Sequence, residues 1–133
     1  MLFNSIKSQI ELINESSINP YRLKLLQALI NYIQSKITSN QDIRLNFICT
    51  HNSRRSHLCQ VWSQTLSSYY NIKNVFCYSG GTEITSLFPA VNNALINSGF
   101  KIESTSLTDN SVYSIKFSDV KPPILGFSKL YND

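Results

Sequence analysis

The stretch Arg44-Leu-Asn-Phe-Ile-Cys49-Thr-His-Asn-Ser-Arg-Arg55-Ser56 decides how the chain is read. Its first six residues are mostly apolar and have the character of a strand. Thr50 to Ser56 form a polar loop, and behind it Leu58, Val61, Trp62, Leu66 and Tyr69 recur at helical spacing. A strand therefore feeds a loop that feeds a helix. Backbone N–H groups at a helix start are unpaired, and with the helix dipole they favour an anion. An arginine there adds a planar fork that binds two oxygens at once. The same positive field lowers the pKa of a thiol at the start of the loop, and the thiolate is the nucleophilic form. Cys49 and Arg55 are accordingly the candidate catalytic pair, and Thr50, His51, Asn52, Ser53, Arg54, Arg55 and Ser56 the candidate oxyanion-binding loop.

Outward from this loop, Asn74-Val-Phe-Cys-Tyr-Ser79 reads as a second strand closed by Gly80-Gly81. Pro89 opens a helix through Val91, Ala94 and Leu95 that Gly99 stops. Strand, helix, strand, helix is the pattern of a parallel sheet with crossover helices. Upstream, Phe3, Ile6, Ile10 and Ile13 form a short helical stripe that Asn14 to Asn19 break. Asn19-Pro20 is a helix start, and Leu25, Leu26, Leu29, Ile30, Ile33 and Ile37 predict a second helix over about residues 20 to 37. Downstream, Tyr113, Ile115 and Phe117 alternate with polar residues, and after Lys121-Pro-Pro123 the run Ile124-Leu-Gly-Phe127 predicts a further strand in a hairpin.

A length of 133 residues suits one domain, and 42% hydrophobic with 15% charged residues excludes a disordered or low-complexity chain. No apolar run reaches a membrane span, and Met1-Leu-Phe-Asn-Ser-Ile-Lys7 lacks the build of a signal peptide, so a soluble, cytoplasmic protein is expected. A net charge of +4 suits an anionic ligand without resembling a nucleic-acid-binding tail. The three cysteines contain no C-x-x-C, which supports neither a disulfide framework nor a zinc site; no metal and no cofactor are expected. Cys59 and Cys77 read as buried small residues, with Cys59 as a resolving thiol the alternative. His57 reads as a surface residue, and His51 as either an oxyanion contact or an exposed loop histidine.

Phe-Ile-Cys49-Thr-His-Asn-Ser-Arg-Arg55-Ser resembles the signature of the low-molecular-weight protein tyrosine phosphatase superfamily, which includes the thioredoxin-coupled arsenate reductases. Tyr78-Ser-Gly-Gly-Thr-Glu83 resembles the turn ending that family's second strand, and Phe88-Pro-Ala-Val91 through Ser98-Gly99 the helix that follows. The resemblance covers roughly residues 44 to 102. It implies an α/β fold, a three-layer sandwich about a central, mainly parallel sheet. The chain would be a single domain over 1–133, with a two-helix extension at 1–38, the family core at 44–102 and divergent strands at 103–133. The implied activity is hydrolysis of phosphotyrosine-like monoesters through a phosphocysteine. By resemblance Cys49 is the nucleophile, Arg55 the oxyanion clamp and Ser56 the hydroxyl that steadies the thiolate, while Asn52 holds the loop through the Ser79 hydroxyl. An arsenate reductase using the same cysteine with an external or second thiol, and a non-catalytic oxyanion- or phosphoprotein-binding module, are the alternatives. The ligand in each case is a phosphorylated protein or a small phosphate or arsenate oxyanion, with no nucleic acid and no membrane as partner.

Three features depart from the family pattern. Two helices precede the first strand, where they are expected to cap the sheet or to pair two copies as a homodimer. His51 stands where the family usually has Gly, and Arg54 where it often has a second Cys. Family members carry a general-acid Asp, commonly in an Asp-Pro pair, in a later loop. This sequence has no Asp-Pro, so its C-terminal part reads as shortened. Asp109, Asp119 and Asp133 are the carboxylates of the last third, and each reads as a turn or terminal charge.

Overall fold

A computed structural model describes residues 1–105 and 109–132. The N-terminal stripe folds as α1, Asn4–Glu11, which buries Ile6 and Ile10; Ile13 lies beyond its end and is exposed. Asn14 ends this segment by turning its side-chain oxygen onto the N–H of Ser16, at the start of a 3-10 turn, Glu15–Ser17. Asn19 caps α2, Pro20–Thr38, by accepting from the N–H of Tyr21, with proline at the first helical position as the sequence predicts. β1 (Ile43–Cys49), α3 (Arg55–Tyr69), β2 (Val75–Gly81) and α4 (Pro89–Asn97) then alternate as expected.

β1 and β2 pair in parallel from Ile43 opposite Val75 to Cys49 opposite Gly81, so the thiol and the Gly80-Gly81 turn share one end of the sheet. The remaining strands, β3 (Lys101–Ser104), β4 (Tyr113–Lys116) and β5 (Ile124–Gly126), form a separate antiparallel sheet in the order β3-β4-β5. The expected hairpin is the β4–β5 pair, and β3 joins it on the other side. After β5 the chain returns to β2. The Gly81 N–H donates to the Lys129 carbonyl at 2.8 Å, and the Tyr131 N–H donates to the Gly81 carbonyl at 3.0 Å.

One apolar cluster joins Ile6 and Ile10 of α1, Val61 of α3, Val91 and Leu95 of α4, Ile115 of β4 and Ile124 of β5, with Phe100 just before β3 and Phe117 just after β4. Each such side chain contributes about 1.5–3 kcal/mol on burial. Trp62 and Phe100 pack nearly perpendicular, with 5.1 Å between ring centroids. The chain is thus α/β, with α3 lying between the parallel pair and this cluster.

Two helices behave differently from their sequence patterns. None of the residues of α2 is buried, and Leu23, Leu25, Ile30 and Ile37 are exposed. It is held instead at the outer edge of β1, where the Tyr32 hydroxyl accepts from the Arg44 N–H at 3.4 Å and donates to the Arg44 carbonyl at 3.5 Å. On α3 the buried face is Ser56, His57, Gln60, Val61 and Thr65, which places His57 in the interior and Cys59 on the exposed side, the reverse of the expectation for both. The face is polar because part of what it covers is strand edge. Gln60 donates to the Cys77 carbonyl at 3.1 Å, while Gln64 donates to the Val75 carbonyl and accepts from the Cys77 N–H, both at 2.9 Å. These two amides, one turn apart, occupy the edge of β2 that a third strand would otherwise take. Among the described residues no helix is long and apolar enough to cross a membrane.

Candidate active site

The loop is held from outside by its carbonyls. Those of Cys49 and Thr50 accept from the N–H groups of Thr82 and Glu83 at 3.2 and 2.9 Å, and that of Ser53 from Phe88 at 3.3 Å. The His51 carbonyl accepts from the Ser128 hydroxyl at 2.7 Å. Because a trans peptide points its N–H opposite to its C=O, turning these carbonyls outward directs the following N–H groups the other way. Asn52 makes the turn possible by adopting a left-handed φ of 49°, a conformation asparagine tolerates better than most residues.

Around the sulfur the loop brings together four of the residues the sequence picks out. Ser56 Oγ lies 3.0 Å from Cys49 Sγ, and Asn52 Nδ2 lies 2.8 Å from Ser56 Oγ. Burial pushes the Cys49 thiol up, but the Ser56 hydroxyl and the backbone N–H groups of Ser56, Asn52 and Ser53 outweigh it and hold the thiol below its ordinary range. Cys77, buried in β2 without such donors, is pushed up to about 11.

The two arginines divide. Arg54 lays its guanidinium over the Phe88 ring at 5.1 Å, on the wall of an open cavity of about 290 Å³ that His51, Ser53, Thr85 and Leu87 also line. Arg55, the first residue of α3, is exposed, and among the described residues its guanidinium makes no hydrogen bond or ion pair within the chain. His51 is exposed, with Nδ1 3.4 Å from Glu83 Oε2. A larger cavity of about 920 Å³ lies along β2, and neither Cys49 nor the loop lines it.

Asn52 and Ser79 are not bonded to each other, as the sequence reading supposes, but through a third residue that it does not single out. Lys129 Nζ donates to Asn52 Oδ1 at 3.1 Å and to Ser79 Oγ at 3.2 Å. Ser79 in turn donates to Gln60 Oε1. Nothing local marks Lys129 in the sequence, since it stands 77 positions from Asn52. Asp109 and Asp119 are exposed, and neither bonds to a loop residue; Asp133 lies outside the described residues. Comparison of the chain with family models, with curated proteins and with solved structures returned no match.

Proposed function

We propose that the chain is a cysteine-dependent phosphatase of the low-molecular-weight protein tyrosine phosphatase type, acting on phosphotyrosine-like monoesters. The observation that supports this reading is the convergence of the Ser56 hydroxyl and three backbone N–H groups on the Cys49 sulfur. In this scheme the thiolate attacks phosphorus, forming an S–P bond as the bond to the leaving oxygen breaks. The loop N–H groups and the Arg55 fork hold the three non-bridging oxygens, whose charge grows in the transition state. Water then cleaves the S–P bond, releasing inorganic phosphate and restoring the thiolate. The scheme uses no cofactor. The three-layer arrangement implied by the family resemblance and the cytoplasmic location expected from the sequence belong to the same proposal.

Among the described residues, Glu83 is the one carboxylate within ion-pair distance of a loop residue, 3.4 Å from His51 Nδ1, and it is exposed. That observation favours one further reading, a phosphate- or phosphoprotein-binding module without turnover. Leaving-group dependence separates the two. A phenolate departs with little protonation, whereas an alkoxide needs a proton delivered in the transition state, a contribution of about 10²–10⁴ in rate. Slow hydrolysis of p-nitrophenyl phosphate that is lost in Cys49→Ser, with failure on alkyl monoesters, is the expected result. Phosphate binding without any turnover of p-nitrophenyl phosphate would favour the module.

A further inference from the structure

Lys129 carries an ammonium that the proposed chemistry does not use, behind the loop rather than in it. Besides Asn52 and Ser79, its Nζ meets the Phe127 carbonyl at 3.3 Å and lies 4.9 Å from the Phe127 ring centroid. An ammonium has three N–H donors and no acceptor. Asn52, Ser79 and Phe127 take all three, and among the described residues no carboxylate pairs with it.

The neighbours fix the direction of every bond in this group. Gln60 Nε2 donates to the Cys77 carbonyl, so Gln60 Oε1 must accept, and the Ser79 hydroxyl spends its single hydrogen there. Ser79 is left with a lone pair toward the ammonium. The backbone N–H of Lys129 also donates to Asn52, at 3.1 Å, and the atom it meets must be the amide oxygen, because a backbone nitrogen cannot accept. The Asn52 NH₂ therefore faces Ser56, and the Ser56 hydrogen is left for the Cys49 sulfur. Polarity runs from Lys129 through Asn52 and Ser56 to Cys49, ending in a donor aimed at sulfur, which favours thiolate over thiol.

We propose that Lys129 is a positioning residue of this site: its ammonium holds Asn52 and Ser79 and, through Asn52 and Ser56, keeps the Cys49 sulfur anionic. The inference rests on the reading of Cys49 as the nucleophile. Burial brings the Lys129 pKa down to about 8, so the group is charged at neutral pH, and its field adds to the burial that keeps His57 neutral.

The test is the pH profile of iodoacetamide alkylation at Cys49, read by mass spectrometry, in the wild type and in Lys129→Met, Lys129→Gln and Lys129→Arg. The two neutral variants are expected to move the profile to higher pH and to slow alkylation at pH 6 about fivefold, with Lys129→Arg close to the wild type. Unchanged profiles in neutral variants that melt cooperatively would overturn the proposal and leave the phosphatase reading standing. If both neutral variants fail to fold while Lys129→Arg folds, the charge is structural and the proposal falls. A wild-type Cys49 that alkylates no faster than Cys59 and is not protected by inorganic phosphate would remove the reading itself, and the proposal with it.

Discussion

Gly81 lies so close beneath the loop that a Cβ built on it would stand 2.6 Å from the Thr50 carbonyl oxygen and 2.8 Å from the Asn52 nitrogen. Both are backbone atoms and cannot swing aside. The strand partner of Cys49 thus sets how closely the loop folds over the end of β2. Gly81→Ala should displace the loop, costing about 1–3 kcal/mol of stability and lowering phosphate affinity together. Denaturant melts and calorimetric titration with inorganic phosphate measure the two; unchanged affinity would mean that the loop position does not govern binding.

The thiols should differ in reactivity. Cys49 sits among N–H donors that lower its pKa, and Cys77 is buried and pushed up to about 11. Labelling with iodoacetamide at pH 6 should therefore reach Cys49 before Cys59 or Cys77, and phosphate or arsenate should slow it there alone. Equal labelling of all three, unaffected by phosphate, would contradict the site assignment.

Arg55 and Arg54 should respond unequally to substitution. Arg55→Lys keeps the charge and loses the planar fork, so oxyanion affinity is expected to fall by about tenfold or more. Arg54 stacks on Phe88, and Arg54→Lys should change oxyanion affinity little. Similar losses in both variants would show that the clamp has been assigned to the wrong arginine.

The acid stability of the chain should depend on His57. Its ring is fully buried, with no hydrogen-bond partner for either nitrogen among the described residues, and burial, with the charge of Lys129, lowers its pKa to about 4 from about 6.5 unfolded. Between these values the unfolded chain binds a proton that the folded chain does not, so stability is whole above pH 6.5 and falls as the pH drops toward 4. The loss across this window is about 3 kcal/mol, at roughly 1.36 kcal/mol per pH unit. Subtracting the melting curves of His57→Leu from those of the wild type at pH 7, 5.5 and 4.5 isolates the effect from carboxylate titration. Parallel curves would show that His57 is protonated in the fold without cost.

General-acid candidates can be tested one at a time. Asp109 and Asp119 are exposed and bond to no loop residue, so Asp109→Asn and Asp119→Asn, with Asp133→Asn, should leave p-nitrophenyl phosphate hydrolysis within about twofold of the wild type. A loss of a hundredfold in any one of them, with a flat dependence on leaving-group pKa, would show that the acid is in place.

What the sequence determines about this protein is local. An apolar run, a polar loop and a helical spacing specify strand, turn and helix, and a separation of seven positions from Cys49 to Ser56 suffices to bring sulfur and hydroxyl to 3.0 Å. Asn19-Pro20 starts α2 for the same kind of reason, since cap and proline act on their own backbone. Periodicity, however, states which residues share a face and not what lies against that face. Hence the stripe of α2 could be read correctly while its exposure could not, and the burial of His57 on α3 was invisible beside the polar residues around it. The separate antiparallel sheet of β3, β4 and β5 depends on pairings between segments whose patterns fit either kind of sheet. Lys129 is the clearest case of a tertiary decision. A lysine near the end of a chain reads as a solvated charge, and only the return of residues 129–131 alongside β2 puts its ammonium within reach of Asn52 and Ser79, because what fills three N–H donors is set by the atoms that folding gathers and not by neighbours in sequence.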